Sequence, residues 1–337
     1  MSEKKVVSIK DIAALSGVSI ATVSRIINKK GRYSKETEKK VMDIIESHGY
    51  VSNMAAKSLR EAKSHTVGLI VPDISNDFFS TISLHVEKFF ADAGYSVFIC
   101  NSANDSEKEK AYFRTLDSKL VDGIICISGL QSLPSDLTPR NIPIVCIDRY
   151  PENDKNIPIV SSDDTMGSYL ATEHLIKKDC KNILFIANFT ADYNRKTRYH
   201  GYEKAMKDYN MDIKKQNIIY LSGDQPSYVE SEVQISNMIQ NGYEFDGIFA
   251  SSDRAALGAL YALKRHNIDV PNKVKIVGFD NSLYSQLPSP SISTISRNTT
   301  MLAENGSQVL LDMMEGKTIE NHRIIVPINL IERESSK

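Results

Sequence analysis

Residues 8–28, SIKDIAALSGVSIATVSRIIN, carry the clearest structural signal near the start of the chain. The spacing of Ser8 and Asp11 is typical of a helix start, where a side-chain oxygen accepts a hydrogen bond from an otherwise unpaired backbone N–H. Apolar residues then recur with a helical period, and Gly17 permits the turn before a second helix that Ser19 can cap. The stretch therefore predicts two short helices joined by a tight turn.

The second of these helices has two different faces. Val23, Ile26 and Ile27 point to one side at about 100° per residue. The opposite face is short, hydrogen-bonding and only lightly charged, and it comprises Ile20, Ala21, Ser24, Arg25 and Asn28. Such a face suits contacts with base edges, whereas a long run of charge suits only phosphates. The spacing alone is equally compatible with a two-helix packing unit that has a solvated face.

Charge is unevenly distributed along the 337 residues. Residues 1–64 contain 13 lysines and arginines against 7 acidic residues, although the whole chain has a formal net charge of −1. A basic head on an acidic remainder is typical of a nucleic-acid-binding unit joined to a body with another task.

The run D-I-A-x-x-x-G-V-S-x-x-T-V-S-R-x-I-N, from Asp11 to Asn28, strongly resembles the helix-turn-helix of the LacI/GalR family of transcriptional regulators. The resemblance implies that residues 1–50 form a DNA-binding head. Its implied DNA contacts are Ser19, Ile20, Ala21, Thr22, Ser24, Arg25 and Asn28. A third helix, capped by Ser34, would close a three-helix core through Val41, Ile44 and Ile45.

Residues 51–64 are the join between head and body. Taken alone they predict a frayed linker, because a helix of about seven residues is too short to be stable by itself. The resemblance implies instead a hinge helix that orders on operator DNA in the minor groove. The implied contacts are Asn53, Ala56, Lys57 and Leu59, with Leu59 as the wedge that opens a base step. Ser52 departs from the family pattern, which usually has proline there.

From His65 onward, short apolar runs alternate with helix-length segments. Nine runs predict strands: TVGLIVP, YSVFIC, VDGIICIS, IPIVCID, IPIVSSD, NILFIA, NIIYL, DGIFAS and VKIVGFD. This alternation is typical of α/β proteins with parallel sheets. The fold class is thus an all-α helix-turn-helix head plus an α/β body of two doubly wound parallel-sheet lobes.

The resemblance also covers this body, 65–337, and extends to periplasmic sugar-binding proteins. It implies a first lobe of about 65–161 and 292–326 and a second lobe of about 163–290 and 327–337. Three crossovers would join them, near Ser161–Asp163, Pro290–Ser293 and Val326–Ile328.

Polar and aromatic side chains follow several of the predicted strands. Because ligands of open parallel sheets bind beyond the carboxyl ends of strands, these residues are candidates for one cleft. Carboxylates and arginines bond to sugar hydroxyls, and aromatic faces cover C–H patches. By resemblance, the candidate effector contacts are Asn76, Phe78, Phe79, Asp148, Arg149, Arg198, Gln225, Ser252, Asp253, Asp280 and Arg297. Taken singly, the phenylalanines could belong to the core, the aspartates could cap helices, and Arg198 could be a surface charge.

Three of these positions depart from common family residues. Ser252 replaces a frequent asparagine, Gln225 a frequent aromatic residue, and Arg297 a common glutamine. Loss of an aromatic wall and gain of a cation lead to the hypothesis of a phosphorylated or acidic sugar.

Sequence motifs argue against an enzyme. G-x-G-x-x-G, G-x-S-x-G, H-E-x-x-H and P-loop motifs are absent from the sequence. The four cysteines form no C-x-x-C pair, which indicates neither a metal site nor a redox motif. With no signal peptide or membrane-spanning run, a cytoplasmic protein without a cofactor is expected.

The sequence therefore predicts a homodimeric repressor of a carbohydrate-utilisation operon, bound to a near-palindromic operator and controlled by a sugar or sugar phosphate. The dimer is expected because the chain ends soon after IIVPINLIERE, without the leucine-heptad tail of tetrameric relatives. Two alternatives stay open. One is a catabolite-control regulator that answers mainly to a protein co-regulator, and the other is a sugar-transport binding protein, against which the head argues.

Overall fold

The computed structural model describes residues 7–27, 29, 31–50, 63–127, 138–148, 157–187 and 192–337. The chain divides into two compact units, Met1–Ser64 and His65–Lys337. The first unit contains the head, and the second is the body.

Three helices form the head: α1 (Ile9–Ser16), α2 (Ile20–Ile27) and α3 (Lys35–His48). Ser8 and Asp11 form the reciprocal cap that their spacing predicts. The Asp11 N–H donates to Ser8 Oγ at 3.4 Å, and the Ser8 N–H donates to Asp11 Oδ2 at 2.8 Å. Gly17 ends α1 with φ 68°, a left-handed conformation that favours glycine.

All three head helices contribute to one small core. Its buried apolar residues are Ile12, Ala13, Val23, Ile26 and Val41. The predicted third helix is confirmed: Ser34 Oγ accepts a hydrogen bond from the Thr37 N–H at 3.1 Å, and Ile44 and Ile45 pack against the core. The amphipathic period of the sequence therefore accounts for the local structure of the head.

Twelve strands are described in the body. In chain order they are β1 (Thr66–Val71), β2 (Ser96–Asn101), β3 (Gly123–Cys126), β4 (Ile144–Ile147), β5 (Ile159–Ser162), β6 (Ile183–Ala187), β7 (Ile218–Tyr220), β8 (Gly247–Ala250), β9 (Lys275–Asp280), β10 (Ser293–Ser296), β11 (Arg323–Val326) and β12 (Asn329–Ile331). The nine strands that the sequence predicts are confirmed as β1 to β9.

Helices alternate with these strands. They are α4 (Asp77–Asp92), α5 (Ser106–Ser118), α6 (Asp164–Lys177), α7 (Asp192–Asp208), α8 (Ser227–Gln240), α9 (Asp253–Arg265), α10 (Leu283–Gln286) and α11 (Thr299–Met314). Short 3₁₀ segments cover Lys215–Asn217 and Glu334–Ser336. None of the helices in the described ranges is both long enough and apolar enough to cross a membrane.

The strands form two six-stranded sheets, one in each lobe. The first-lobe sheet has the order β11-β5-β4-β3-β1-β2, and the second-lobe sheet has the order β12-β10-β9-β8-β6-β7. All neighbouring strands are parallel except β10 and β12, which pair antiparallel. The predicted fold class is therefore confirmed, with helices packed on both faces of each sheet.

Side chains of β1 show how the first lobe buries both faces of its sheet. Val67, Leu69 and Val71 pack on the side covered by α4 and α11, while Ile70 packs on the side covered by α5. This is the alternation of a strand, with apolar residues at every position because neither face meets water. The carboxyl end of β1 is thereby held at the edge of the cleft.

The chain crosses between the lobes next to three strand ends. β5 ends at Ser162 in the first lobe, and α6, which packs in the second lobe, begins at Asp164. The third crossing joins β11 to β12. The predicted second crossing at Pro290–Ser293 is wrong, because β10 pairs with β9 of the second sheet and Ile295 is buried in the second lobe. The chain leaves that lobe only after Ser296.

Candidate functional site

The outer face of α2 is the candidate interface of the head. Ile20, Ala21 and Arg25 are exposed, while Thr22 and Ser24 are half-buried. Ser19 Oγ accepts a hydrogen bond from the Thr22 N–H at 3.1 Å, so Ser19 caps the helix that carries this face. The predicted contacts Asn28, Asn53, Ala56, Lys57 and Leu59 lie outside the described residues.

The stem of Arg25 runs beside the loop that follows α2. A Cβ placed on Gly31 would lie 3.5 Å from Arg25 Cδ, and Gly31 has φ 86°. The positive φ favours glycine at this turn, whereas a Cβ there would be in ordinary van der Waals contact with the arginine stem.

Arg297 lies at the centre of a buried ion cluster between the lobes. Its side chain is 2% exposed, and it forms ion pairs with Asp148 of the first lobe and with two carboxylates of the second. Its Nε lies 3.3 Å from Asp164 Oδ1, and its Nη1 lies 3.5 Å from Asp280 Oδ1. Arg297 Nε also donates to Ser162 Oγ at 2.8 Å.

Arg198 joins the same cluster from α7. Its Nε donates to Asp164 Oδ2 at 2.9 Å, and its Nη1 donates to the backbone carbonyl of Ser251. Its Nη2 lies 3.7 Å from Asp280 Oδ1. We define the interlobe cluster as Asp148, Asp164, Arg198, Asp280 and Arg297. The sequence hypothesis of a surface charge at Arg198 is wrong, because this side chain is buried.

Aromatic rings cover the two guanidinium groups. Arg297 Cζ lies 4.2 Å from the ring centroid of Phe78, and Arg198 Cζ lies 4.0 Å from that of Phe279. These are cation–π distances, which are more favourable when the groups are desolvated. Phe78 and Phe79 are also buried in the first-lobe core, so both of the roles considered for them are compatible with the structure.

Burial controls protonation in the cluster. Desolvation raises the pKa of Asp280 well above its usual value, although Arg198 opposes this shift. Burial also lowers the pKa of Arg297 to about 9, so its guanidinium is still charged at neutral pH. Asp148 and Asp280 occupy positive φ, at 71° and 107°. Such backbone conformations place these carboxylates at the ends of β4 and β9 at a conformational cost.

Asp253 is engaged within the second lobe. The backbone N–H and hydroxyl of Ser282 donate to its Oδ2 at 2.6 Å and 3.0 Å, and the Thr294 hydroxyl donates to its Oδ1 at 2.5 Å. Burial raises its pKa to about 6 despite these bonds. The arrangement makes Asp253 a brace between α9, α10 and β10. It begins α9, whose N-cap is Ser252.

Among the described residues, two of the cavities are lined from both lobes. The larger, of about 380 Å³, is lined from both lobes and contains four of the candidate effector residues. These are Asn76, Phe79, Gln225 and Ser252. The smaller, of about 280 Å³, includes Phe78 and Asp280. These volumes are near the lower end of the range for small-molecule pockets, about 300–1,000 Å³. Arg149 lies outside the described residues.

Sequence reasoning missed two charged residues of this region. Asp164 contacts both arginines, but its neighbour Asp163 caps α6 by accepting from the Met166 N–H at 2.9 Å. Two adjacent aspartates at a predicted crossover carry no signal of which one faces the cleft. Arg254 lines the larger cavity, and its Nη1 lies 4.0 Å from Asp73 Oδ2 across the lobes. Its position as the second residue of a helix that follows a strand could have indicated this.

Two protein-family models match the chain, one in the head and one in the body. The model for bacterial regulatory proteins of the lacI family matches residues 8–53. The model for periplasmic binding protein-like domains matches residues 172–336.

Two curated relatives match along nearly the whole chain. The ribose operon repressor of Halalkalibacterium halodurans is 34% identical over 98% of this chain and 97% of its own length. The transcriptional regulator RegA of Clostridium saccharobutylicum is 35% identical over 98% of this chain and 99% of its own length.

Two solved structures are similar to this chain. The regulator from Alkaliphilus metalliredigens in complex with D-xylulofuranose is 32% identical, covers 81% of this chain and 99% of that one, and has a TM-score of 0.72. The lac repressor dimer bound to operator and the anti-inducer ONPF covers 98% of this chain and 99% of that one, with a TM-score of 0.86. At 21% identity, that second likeness shows the fold alone. The protein belongs to the LacI family of bacterial regulatory proteins, which are transcriptional regulators and not enzymes.

Proposed function

We propose that the protein is a repressor of a carbohydrate-utilisation operon, and that a sugar or sugar phosphate bound between the lobes controls its affinity for operator DNA. The observation that carries this proposal is the presence, in one chain, of an exposed and lightly charged face on α2 and a polar cavity lined from both lobes. The first suits base edges, and the second suits a small polyhydroxy ligand.

In this proposal the head contacts the major groove through α2. Arg25 and its exposed neighbours Ile20 and Ala21 reach the base edges, with Ser19, Thr22, Ser24 and Asn28 beside them. Asn53, Ala56, Lys57 and Leu59 act in the minor groove. A homodimer places two such heads on a near-palindromic operator, because a two-fold protein matches a two-fold site.

We propose that the effector binds in the cleft between the lobes. It would contact Asn76, Gln225 and Ser252 of the larger cavity and Asp280 of the smaller one. The name of one relative and the ligand of one solved structure support a pentose-sized sugar. Charge favours a neutral sugar over its phosphate. Arg297 is paired with three carboxylates. The larger cavity has Asp73 and Asp224 beside the single cation Arg254 among its lining residues, and the smaller is lined by Asp77 and Asp280 without a lysine or arginine.

A gel-shift titration with DNA from upstream of the protein's own gene tests the proposal. We expect specific retardation that changes when ribose, xylulose or another sugar is added, since the two sites are linked through the lobes. Arg25→Ala supplies the control that keeps the body intact and weakens retardation. Absence of retardation under all conditions would overturn the DNA-binding role.

Calorimetry on the same protein identifies the ligand class. Tight binding of a neutral sugar and weak binding of its phosphate is the expected result, and the reverse order would favour the acidic-ligand hypothesis. If neither binds, and retardation changes only with a second protein, the catabolite-control alternative replaces the sugar.

A further inference from the structure

The two buried arginines differ in what they connect. Arg198 contacts Asp164, the Ser251 carbonyl, Asp280 and the Phe279 ring, and all four belong to the second lobe. Arg297 contacts residues of both lobes. The two side chains share carboxylates and have similar burial, so they form a natural pair for comparison.

Arg297 follows β10 directly and therefore lies at the crossing from the second lobe to the first. On the first-lobe side it pairs with Asp148 at the end of β4 and bonds to Ser162 at the end of β5. It also covers the Phe78 ring at the beginning of α4. On the second-lobe side it faces Asp164 and Asp280.

We propose that Arg297 is a positioning residue that ties the two lobes to each other. The guanidinium has several donors in a rigid plane, so it can bond to carboxylates on both sides of a cleft at once. An internal cation bonded to groups of both lobes can hold them together without a contribution from an effector. An effector then acts by displacing or adding to this tie, a consequence that rests on the proposed function, whereas the tie itself does not.

The ion pairs of Arg297 also contribute to stability, so stability and lobe separation must be measured separately. Removing one member of a buried charge cluster leaves the others uncompensated and destabilises the fold. Arg198→Met removes a cation from the same cluster without removing a contact between the lobes. It is therefore the matched control for Arg297→Met, which keeps most of the side-chain stem.

Distances between one spin label in each lobe test the tie in the full-length protein. Lys119, at the end of α5, and Asn241, at the end of α8, are exposed positions in the first and second lobes. Labels carried by non-natural amino acids avoid the four native cysteines. Pulsed dipolar spectroscopy is performed without DNA or sugar, alongside thermal unfolding.

We expect Arg297→Met to shift or broaden the label distances beyond the width of the parent distribution. Arg198→Met should lower the unfolding temperature and leave the distances unchanged. The double variant Asp148→Asn/Arg297→Met removes charge from both sides and decides the question if the single variant does not fold. Asparagine tolerates the positive φ of Asp148.

Parent-like distances in folded variants lacking Arg297, or an equal change in Arg198→Met, would overturn the tie. Neither result depends on whether the protein binds a sugar or an operator. Failure of the proposed function would instead appear as absent retardation with the distance changes still present.

Discussion

The head and the body build their candidate sites in opposite ways. In the head, the candidate DNA contacts on α2 are neighbours in sequence, and several are exposed. In the body, Asp148 and Arg297 are 149 positions apart, buried, and bonded to each other. Substitution in the first site should therefore change binding alone, whereas substitution in the second should change stability as well.

The largest expected effect is that of Asp164→Ala. Both buried arginines lose a carboxylate partner, and breaking such a buried pair typically costs about 3–5 kcal/mol. The adjacent Asp163→Ala removes only a helix cap, for which about 1 kcal/mol is expected. Denaturant unfolding of the two variants measures the difference. Equal losses would mean that the cluster does not stabilise the body.

A buried carboxylate should also make the stability of the body depend on pH. Asp253 titrates at about 6 in the folded state and near 3.8 when unfolded. The folded state thus binds more protons in this interval, and the contribution of Asp253 to stability falls as pH rises from about 4 to 6. The loss is up to about 3 kcal/mol. Asp253→Asn should remove this component of the pH dependence of unfolding, and an unchanged profile would contradict the assignment.

Arg25→Ala tests the exposed site of the head. We expect operator binding to weaken by about 1–3 kcal/mol, the usual value of a good base contact. The free energy of unfolding should change by no more than about 0.5 kcal/mol, because the side chain is exposed. Arg32→Ala, in the following loop, is a matched exposed control. Unfolding of the head by Arg25→Ala would contradict the expectation that a substitution in the head site changes binding without changing stability.

The smallest expected effect is that of Ser8→Ala. The variant loses one half of the reciprocal cap of α1, which should lower the stability of the head by about 1 kcal/mol. Hydrogen exchange of α1 amides measures it, with body amides as an internal reference. A decrease in the protection of body amides would show that the two units do not unfold independently.

The same contrast explains which parts of the fold the sequence predicts. The head and β1 to β9 follow from period and apolar runs, which are local signals. β10 reads STIS and β12 reads NLI, and neither is long or apolar enough to be recognised alone. β10 exists because β9 offers it a parallel partner. The crossing that the resemblance implies at Pro290–Ser293 precedes this strand and is therefore too early in the chain.

The sequence predicts most residues of the interlobe cluster but does not predict which of them pair with each other. Asp148, Arg198, Asp280 and Arg297 were all named because they follow strands or match family positions. Their mutual pairing could not be deduced, since it depends on the position of crossings that are far apart in sequence. The sequence hypothesis treats Arg297 as a cation that could bind a phosphate. In the structure its guanidinium is paired with carboxylates of both lobes.

The last two strands have a consequence for synthesis of the chain. β11 completes the edge of one sheet and β12 the edge of the other, and both lie within residues 323–331. Each lobe therefore remains one strand short until the ribosome has made residues 323–331. A stop codon before Arg323 would expose the edges of β5 and β10 that β11 and β12 cover, and unpaired edges are prone to aggregation. Truncation at this point would damage both lobes at once.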